Sequence, residues 1–251
     1  MSVLEVKDLS VSFGGITAVD GVSFAVERGE VFTIIGPNGA GKTTLFNLIS
    51  RIYRPSSGRI VLDGSDLTRL PADRLAELGL ARTFQNIELF EHATVLQNLM
   101  IGRHCRSQSS FWRDLLFLPA AARAECAHRE AVERVIEFLD LAGHRDTVVG
   151  QLPYGARKVV ELGRALCAEP RVLLLDEPSS GLNPEETDDV AFWIADMRAE
   201  MGMTVLMVEH DMGLVSRVSD RVLALDQGRT LALGSANDVQ AHPDVIRAYL
   251  G

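Results

Sequence analysis

A glycine-rich run at residues 36–43 has the residue types and the spacing that hold phosphate groups. It reads Gly-Pro-Asn-Gly-Ala-Gly-Lys-Thr and satisfies the pattern G-x-x-x-x-G-K-[ST]. Glycines let the backbone turn its N–H groups inward, the lysine reaches the β- and γ-phosphates, and the hydroxyl can hold Mg²⁺. The alternative is a turn without a ligand, but the run stands between an apolar strand and a helix, as the pattern requires. The predicted phosphate ligands are Asn38, Gly39, Ala40, Gly41, Lys42, Thr43 and Thr44.

An acidic pair after the apolar run at residues 172–175 could supply the other groups that phosphoryl transfer needs. Asp176 and Glu177 follow that run directly. We expect Asp176, together with Thr43, to bind Mg²⁺, and Glu177 to act as the general base toward water. Of the three lysines in the chain, none lies in an Asn-Lys-x-Asp motif, which a GTPase would use to read its base. The sequence therefore predicts ATP as the nucleotide.

The elements around these motifs alternate between strands and helices. Apolar runs at residues 30–35, 172–175 and 203–208 predict strands buried on both faces, and the segments after them have helical spacing. This order predicts an α/β fold with a mainly parallel sheet. The first 35 residues alternate apolar and polar positions, which predicts several short antiparallel strands. Residues 86–152 have helical spacing around an arginine-rich, irregular stretch and are predicted to form an inserted helical subdomain.

The composition and net charge of the chain disfavour several classes of protein. The chain has 251 residues, is 47% hydrophobic and has a formal net charge of −9, which disfavours a nucleic-acid binder. No run of about 18 apolar residues predicts a membrane span, and the first residues do not have the pattern of a signal peptide. The cysteines are odd in number and far apart, which predicts reduced thiols rather than a metal site. They are Cys105, Cys126 and Cys167.

Seven motifs in order give the chain a resemblance to the ATP-binding cassette (ABC) family. Besides the phosphate run and the acidic pair, they are Phe13, Gln85 in RTFQ, the signature region at residues 152–156, SGLNP, and His210 in EHDM. The resemblance implies a P-loop NTPase fold with an N-terminal antiparallel β-subdomain and an inserted α-helical subdomain. It places residues 1–85 and 153–251 in a RecA-like core of a single domain.

The resemblance also implies roles for side chains that would not be singled out individually. Phe13 is expected to stack on adenine, and Gln85 to contact Mg²⁺ or the attacking water. His210 is expected to contact the γ-phosphate. Taken one at a time, these residues could equally be a core aromatic, a surface amide and a strand-end histidine. With Glu177, Gln85 and His210 form the predicted catalytic set.

Two further motifs are expected to act across a dimer, because cassettes of this family close head to tail. Tyr154 and Gly155 of one chain would face the ATP that the other chain holds, and Asn183 would lie at the seam. Position 153 is serine in the wider family, so Pro153 removes both a hydroxyl and a backbone N–H. Ala156 replaces the usual glutamine. We expect these departures to slow turnover rather than abolish it, because one neutral hydrogen bond contributes about 0.5–1.5 kcal/mol.

A finer resemblance connects the chain to the ATP-binding subunits of branched-chain amino-acid importers. It rests on LPYGARKVVELGRAL, GLNPEET, EHDMGLV and the terminal HPDVIRAYLG. Urea importers, lipopolysaccharide exporters and a soluble ABC ATPase of an assembly scaffold remain alternatives. A cassette that binds ATP without hydrolysing it is a further alternative, which the presence of Glu177 and His210 disfavours.

The resemblance implies a set of partners and a location. A second ABC ATPase subunit, identical or homologous, would complete the dimer, and the helical subdomain would dock on two transmembrane permease subunits. A periplasmic or extracellular substrate-binding protein would act indirectly, and no nucleic acid is expected. The protein would then lie on the cytoplasmic face of the cell membrane, held there by the permeases. The arginine-rich stretch from Arg103 to Arg134 is either part of the docking surface or a solvated helix face.

Overall fold

The computed structural model describes residues 2–85, 87–106 and 119–250. It divides into two compact units, residues 1–85 with 171–251 and residues 86–170. Most of the arginine-rich stretch predicted to be irregular lies outside the described residues. Within the ranges described, no helix combines the length and apolar character that a membrane crossing requires.

The first unit begins with an antiparallel sheet of order β2-β1-β4-β5. Its strands are β1 (Ser2–Phe13), β2 (Ile16–Glu27), β4 (Ser57–Leu62) and β5 (Ser65–Asp66). The prediction of several short strands is wrong, because β1 and β2 are single strands of 12 residues each. Irregularities in their pairing, one of them between Val6 and Leu9, absorb the breaks in the alternation without ending either strand. Most apolar side chains of both strands pack into the core of this unit, whereas Phe13 and Ile16 at the turn between the strands are exposed.

A six-stranded sheet forms the centre of the first unit, with the order β10-β9-β3-β8-β7-β6. Its strands are β3 (Val31–Ile35), β6 (Leu80–Arg82), β7 (Val172–Asp176), β8 (Thr204–Val208), β9 (Arg221–Asp226) and β10 (Arg229–Gly234). All pairs are parallel except the β9–β10 hairpin. Because β8 lies between β3 and β7, the carboxyl ends of these three strands meet at one edge. The segments that carry the phosphate loop, the acidic pair and His210 therefore begin side by side.

Three helices of the first unit follow strands where the sequence predicts them, namely α1 (Lys42–Ile49), α5 (Pro184–Met201) and α6 (Met212–Val218). The helices α7 (Ala236–Gln240) and α8 (Pro243–Leu250) near the end of the chain were not predicted. A single 3₁₀ turn, Ala72–Arg74, precedes β6. A capping box between Asn183 and Glu186 fixes the start of α5, and Gly202 ends it in the left-handed conformation.

Among its described residues, the second unit contains helices α2 (Val95–Gly102), α3 (Pro119–Phe138) and α4 (Tyr154–Leu166), with short 3₁₀ turns. Helix α4 packs closely within it, because a Cβ on Gly163 would meet Leu99 at 2.9 Å and Leu139 at 3.0 Å. The unit accordingly extends from residue 86 to residue 170, whereas the boundary drawn from sequence is at residue 152. Helical spacing alone does not tell which unit a helix packs against.

Candidate active site

The phosphate loop, residues 36–43, connects β3 to α1 and surrounds a buried lysine. The Lys42 ammonium donates hydrogen bonds to the carbonyls of Gly36 at 2.6 Å and Pro37 at 3.0 Å. Burial lowers the pKa of Lys42, and the charges of Glu177 and Asp176 oppose that shift. The loop therefore holds the Lys42 ammonium at the edge of the sheet, close enough to interact electrostatically with Asp176 and Glu177.

Two glycines of the loop are required by close backbone approach. A Cβ on Gly36 would lie 2.3 Å from the carbonyl oxygen of Leu225, and one on Gly41 would lie 2.5 Å from that of Ala18. Gly39 also has a positive φ, but a Cβ there would have no atom within 4 Å. Asn38, Gly39 and Thr43 are exposed, Thr44 is half-buried and Ala40 is buried. The tip of the loop is thus open, whereas its two ends are packed against the protein.

The carboxylate of Asp176 fits a hard cation. Its side chain is 2% exposed, and its Oδ2 accepts a hydrogen bond from Nη2 of Arg82 at 2.7 Å. Its other oxygen, Oδ1, is buried and has no hydrogen-bond partner among the described residues. A buried carboxylate oxygen without a donor is a group that Mg²⁺ would satisfy. Thr43, one residue after Lys42 at the start of α1, is the second predicted metal ligand.

The three predicted catalytic residues lie together at the ends of neighbouring strands. The amide Nε2 of Gln85 donates to Oε2 of Glu177 at 3.0 Å, and Nδ1 of His210 lies 3.8 Å from the same oxygen. Glu177 has φ of 49°, in the left-handed region that a side-chain-bearing residue rarely adopts. Its backbone N–H donates to the carbonyl of Val208 at 2.9 Å, which holds this conformation beside β8. Strained backbone of this kind concentrates at functional sites.

Glu209 joins the two segments of the catalytic set, although no motif in the sequence singled it out. Its side chain is fully buried, and Oε1 accepts a hydrogen bond from the N–H of Ser179 at 2.9 Å. Its Oε2 accepts from the N–H groups of His210 at 2.7 Å and Asp211 at 3.1 Å. The sequence feature that could have identified Glu209 is an acidic residue at the end of an apolar strand, directly before His210.

Arg82 is a second residue of the site that the sequence motifs do not include. Its guanidinium pairs with Asp176, and its Nη1 donates to Oδ1 of Asn47 at 2.8 Å and Oγ of Ser50 at 2.6 Å. The sequence feature that could have identified Arg82 is its position as a single arginine in the otherwise apolar strand Leu80–Arg82. Such an arginine is buried only when it has partners.

The aromatic residue predicted to stack on adenine lies at the end of β1. The ring of Phe13 is 45% exposed and is free to pack against a flat ligand. The ring of Tyr53 contacts it edge to face, with 5.2 Å between centroids. Tyr53 therefore fixes one side of the Phe13 ring.

Of the residues predicted to act across a dimer, Tyr154 and Asn183 are exposed, whereas Gly155 is buried in the first turn of α4. Tyr154 is 48% exposed, and the Lys158 ammonium lies 5.8 Å from its ring centroid. Pro153 is the N-cap of α4 and makes no side-chain capping bond. The side chain of Asn183 accepts from the N–H of Glu186 at 2.9 Å, so it caps α5. The intermolecular roles of these residues stay predictions.

Comparison with known families and proteins gives matches over the whole chain. A family model described as ABC transporter matches residues 19–180, and one described as branched-chain amino acid ATP-binding cassette transporter matches residues 229–251. The high-affinity branched-chain amino acid transport ATP-binding protein BraF of Pseudomonas aeruginosa is 43% identical over 249 residues, which cover 99% of this chain and 98% of BraF. LivG of Escherichia coli K12, which carries the same description, is 39% identical over 252 residues with the same coverage.

Solved structures agree with these matches. A nucleotide-free ATP-binding cassette from an ABC transporter has a TM-score of 0.87 and 32% identity, and each chain covers 100% of the other. A solved structure of a cassette in its ADP conformation has the same TM-score and identity, with 100% of this chain and 99% of that chain covered. These neighbours confirm the predicted P-loop NTPase fold. The phosphate loop, the acidic pair and the full-length matches together establish that the chain belongs to the ABC transporter family.

Proposed function

We propose that this chain is the ATP-hydrolysing subunit that energises an ABC importer for branched-chain amino acids. The observation that carries the hydrolytic part is the convergence of Gln85, Glu177 and His210 beside the phosphate loop. The substrate class rests on the names of BraF and LivG, which are similar to this chain from end to end.

The chemistry follows from the positions of these groups. The phosphates of ATP would lie on the N–H groups of the loop and on Lys42, at the N-terminal end of α1. Thr43, Asp176 and Gln85 would hold Mg²⁺, which when bound neutralises charge on the phosphates. Glu177 would take a proton from a water whose oxygen attacks the γ-phosphorus, while the bond to the ADP oxygen breaks. Gln85 would orient that water, and His210 would contact the phosphate oxygens.

Completion of the site would require a second cassette. Tyr154 and Gly155 stand at the N-terminal end of α4, where backbone N–H groups and the helix dipole attract phosphate. We infer that they contact the ATP held by the partner cassette, with Asn183 at the seam. Pro153 supplies neither a hydroxyl nor an N–H to this contact. Closure of the dimer would assemble the site, and hydrolysis would reopen it.

The membrane partners of the chain are likewise inferred from its family. Two transmembrane permease subunits would bind the second unit of this chain on the cytoplasmic face of the membrane. A substrate-binding protein outside the membrane would act through them. The second cassette would be either this chain or a homologue.

A test of the proposal is to purify the tagged chain from detergent-solubilised membranes of its native host and to reconstitute what co-purifies. We expect polytopic membrane proteins in the complex, and ATP hydrolysis that rises when leucine and the substrate-binding protein are added. Lys42→Ala is the control, since it should assemble but not hydrolyse. Recovery with soluble proteins only would contradict the transport function, and stimulation by urea instead of leucine would replace the substrate.

A further inference from the structure

The buried ion pair between Arg82 and Asp176 is the feature of the site that its predicted motifs leave unexplained. We propose that Arg82 is a positioning residue for the metal carboxylate. By holding Oδ2 of Asp176, it leaves Oδ1 as the oxygen that binds the cation. The inference rests on the proposed function, because it concerns the Mg²⁺ site assigned there.

The guanidinium is held through its two terminal nitrogens and by two aromatic rings, whereas its Nε is buried without a hydrogen-bond partner among the described residues. The side chain of Arg82 is 7% exposed, and its Cζ lies 5.5 Å from the ring centroid of Phe46 and 5.3 Å from that of Phe84. Its Nη1 donates to Asn47 and Ser50, while its Nη2 donates to Asp176. Only a planar fork with several donors can make these bonds in different directions at once. Arg82 is therefore fixed before it contacts the carboxylate.

The partners of Arg82 connect the carboxylate to the phosphate loop. Phe46 and Asn47 lie in α1, the helix that begins at Lys42, and Ser50 is its C-cap. Asp176 is the last residue of β7, 94 positions from Arg82 in the chain. The arginine thus fixes the end of β7 relative to the helix that carries Lys42 and Thr43. A cation bound by Thr43 and Asp176 needs those two elements at a constant separation.

The two oxygens of Asp176 have different surroundings. Oδ2 has a charged donor at 2.7 Å, whereas Oδ1 is buried and has no partner among the residues that the structure describes. A carboxylate bonded at one oxygen cannot rotate freely, so the other oxygen keeps one direction. Partners of this kind orient metal ligands, and their loss weakens metal binding about 10- to 100-fold.

The charge of Arg82 is also needed when no metal is bound. A buried carboxylate without a counter-ion is strongly unfavourable, so removal of one partner of a buried ion pair destabilises the fold. Lys42 acts on Asp176 only through its charge, because the hydrogen bonds of its ammonium go to the carbonyls of Gly36 and Pro37, whereas Arg82 donates to the carboxylate directly. Arg82 therefore holds the Asp176 carboxylate in place until the nucleotide and its metal arrive.

The experiment measures metal affinity separately from nucleotide affinity. Mn²⁺ is the probe, and its binding to the ADP complex of the full chain is followed by electron paramagnetic resonance. ADP affinity in EDTA is measured by calorimetry. Arg82→Gln should weaken Mn²⁺ binding at least about tenfold and leave ADP affinity in EDTA within about twofold. Arg82→Lys keeps the charge without the fork and should weaken Mn²⁺ binding by an intermediate factor.

Arg51→Gln is the matched control, because Arg51 is also a buried arginine but donates to the carbonyls of Leu70 and Tyr53 instead of a carboxylate. It should keep the wild-type affinity for Mn²⁺. Wild-type affinity in both Arg82 variants would overturn the role of Arg82, as would an equal loss of ADP affinity in EDTA. If Arg82→Gln does not fold, the test rests on Arg82→Lys alone, and its affinities for Mn²⁺ and for ADP in EDTA are compared with those of the wild type in the same way. Absence of Mn²⁺ binding in the wild-type chain would instead refute the metal site of the proposed function.

Discussion

The side-chain amide of Gln85 donates a hydrogen bond to the carboxylate of Glu177 across 92 positions of sequence, at 3.0 Å. The imidazole of His210 lies near the same oxygen. The three residues follow β6, β7 and β8, which are adjacent in the sheet. One carboxylate oxygen thus accepts a hydrogen bond from the amide and has the imidazole nearby, which orients the side chain predicted to act as the base.

Replacement of Glu177 by Gln should separate ATP binding from hydrolysis. The amide keeps the shape of the side chain but cannot accept a proton, so we expect phosphate release to fall about 10²- to 10⁴-fold. ATP affinity should remain, and a closed dimer should accumulate with ATP on size-exclusion chromatography. Steady-state hydrolysis at the wild-type rate would show that Glu177 is not the base.

Replacement of Lys42 by Ala should remove most of the affinity for nucleotide. Hydrogen bonds to charged groups contribute about 1.5–3 kcal/mol, so the dissociation constant for ATP should rise about 10- to 150-fold. Calorimetry measures this change. Lys7→Ala is the control, because Lys7 is an exposed residue paired with Glu5. Equal affinities for ATP in the two variants would refute the phosphate-loop assignment.

Alanine at Gly41 should destabilise the fold more than alanine at Gly39. Both positions have positive φ, which a side-chain-bearing residue adopts at a cost of about 1–2 kcal/mol. At Gly41 the new Cβ would also meet the Ala18 carbonyl, whereas at Gly39 it would enter open space. Urea unfolding of the two variants measures the difference in free energy. Equal losses would mean that the close approach at Gly41 relaxes without strain.

Replacement of Glu209 by Gln should lower both stability and hydrolysis. The Glu209 carboxylate accepts three backbone N–H groups, and an amide would place its own NH₂ against at least one of them. A buried donor left unpaired costs about 1–3 kcal/mol. Urea unfolding and phosphate release should both report a loss, with ATP affinity little changed. The exposed Glu185→Gln is the control, and identical behaviour of the two variants would contradict a positioning role.

The thiols should differ in reactivity. Cys167 is 1% exposed, and burial raises its pKa to about 12, so almost no thiolate forms near pH 8. Cys126 is exposed. Iodoacetamide at pH 8 should therefore modify Cys126 and leave Cys167 intact, as read by peptide mass spectrometry. Denatured protein is the control, in which both should react; rapid labelling of Cys167 in the native protein would contradict its burial.

The sequence by itself determined the phosphate loop, the acidic pair, the parallel sheet and the family. Each of these is encoded locally, because a glycine pattern or a run of apolar residues needs only its own neighbours to be recognised. The predicted fold class and family are confirmed by the comparisons. The length of β1 and β2 was not predicted, since bulges that continue a strand have no clear local signature.

Only the tertiary structure decided which side chains support the predicted ones. Arg82 meets Asp176, and Glu209 meets the N–H of Ser179, because β6, β7 and β8 are adjacent in the sheet. The distance between these residues in the sequence does not reveal that they are paired. The order of parallel strands in the sheet depends on how the helices that connect them pack against its faces. The assignment of α4 to the second unit was decided in the same way, by side-chain packing around Gly163.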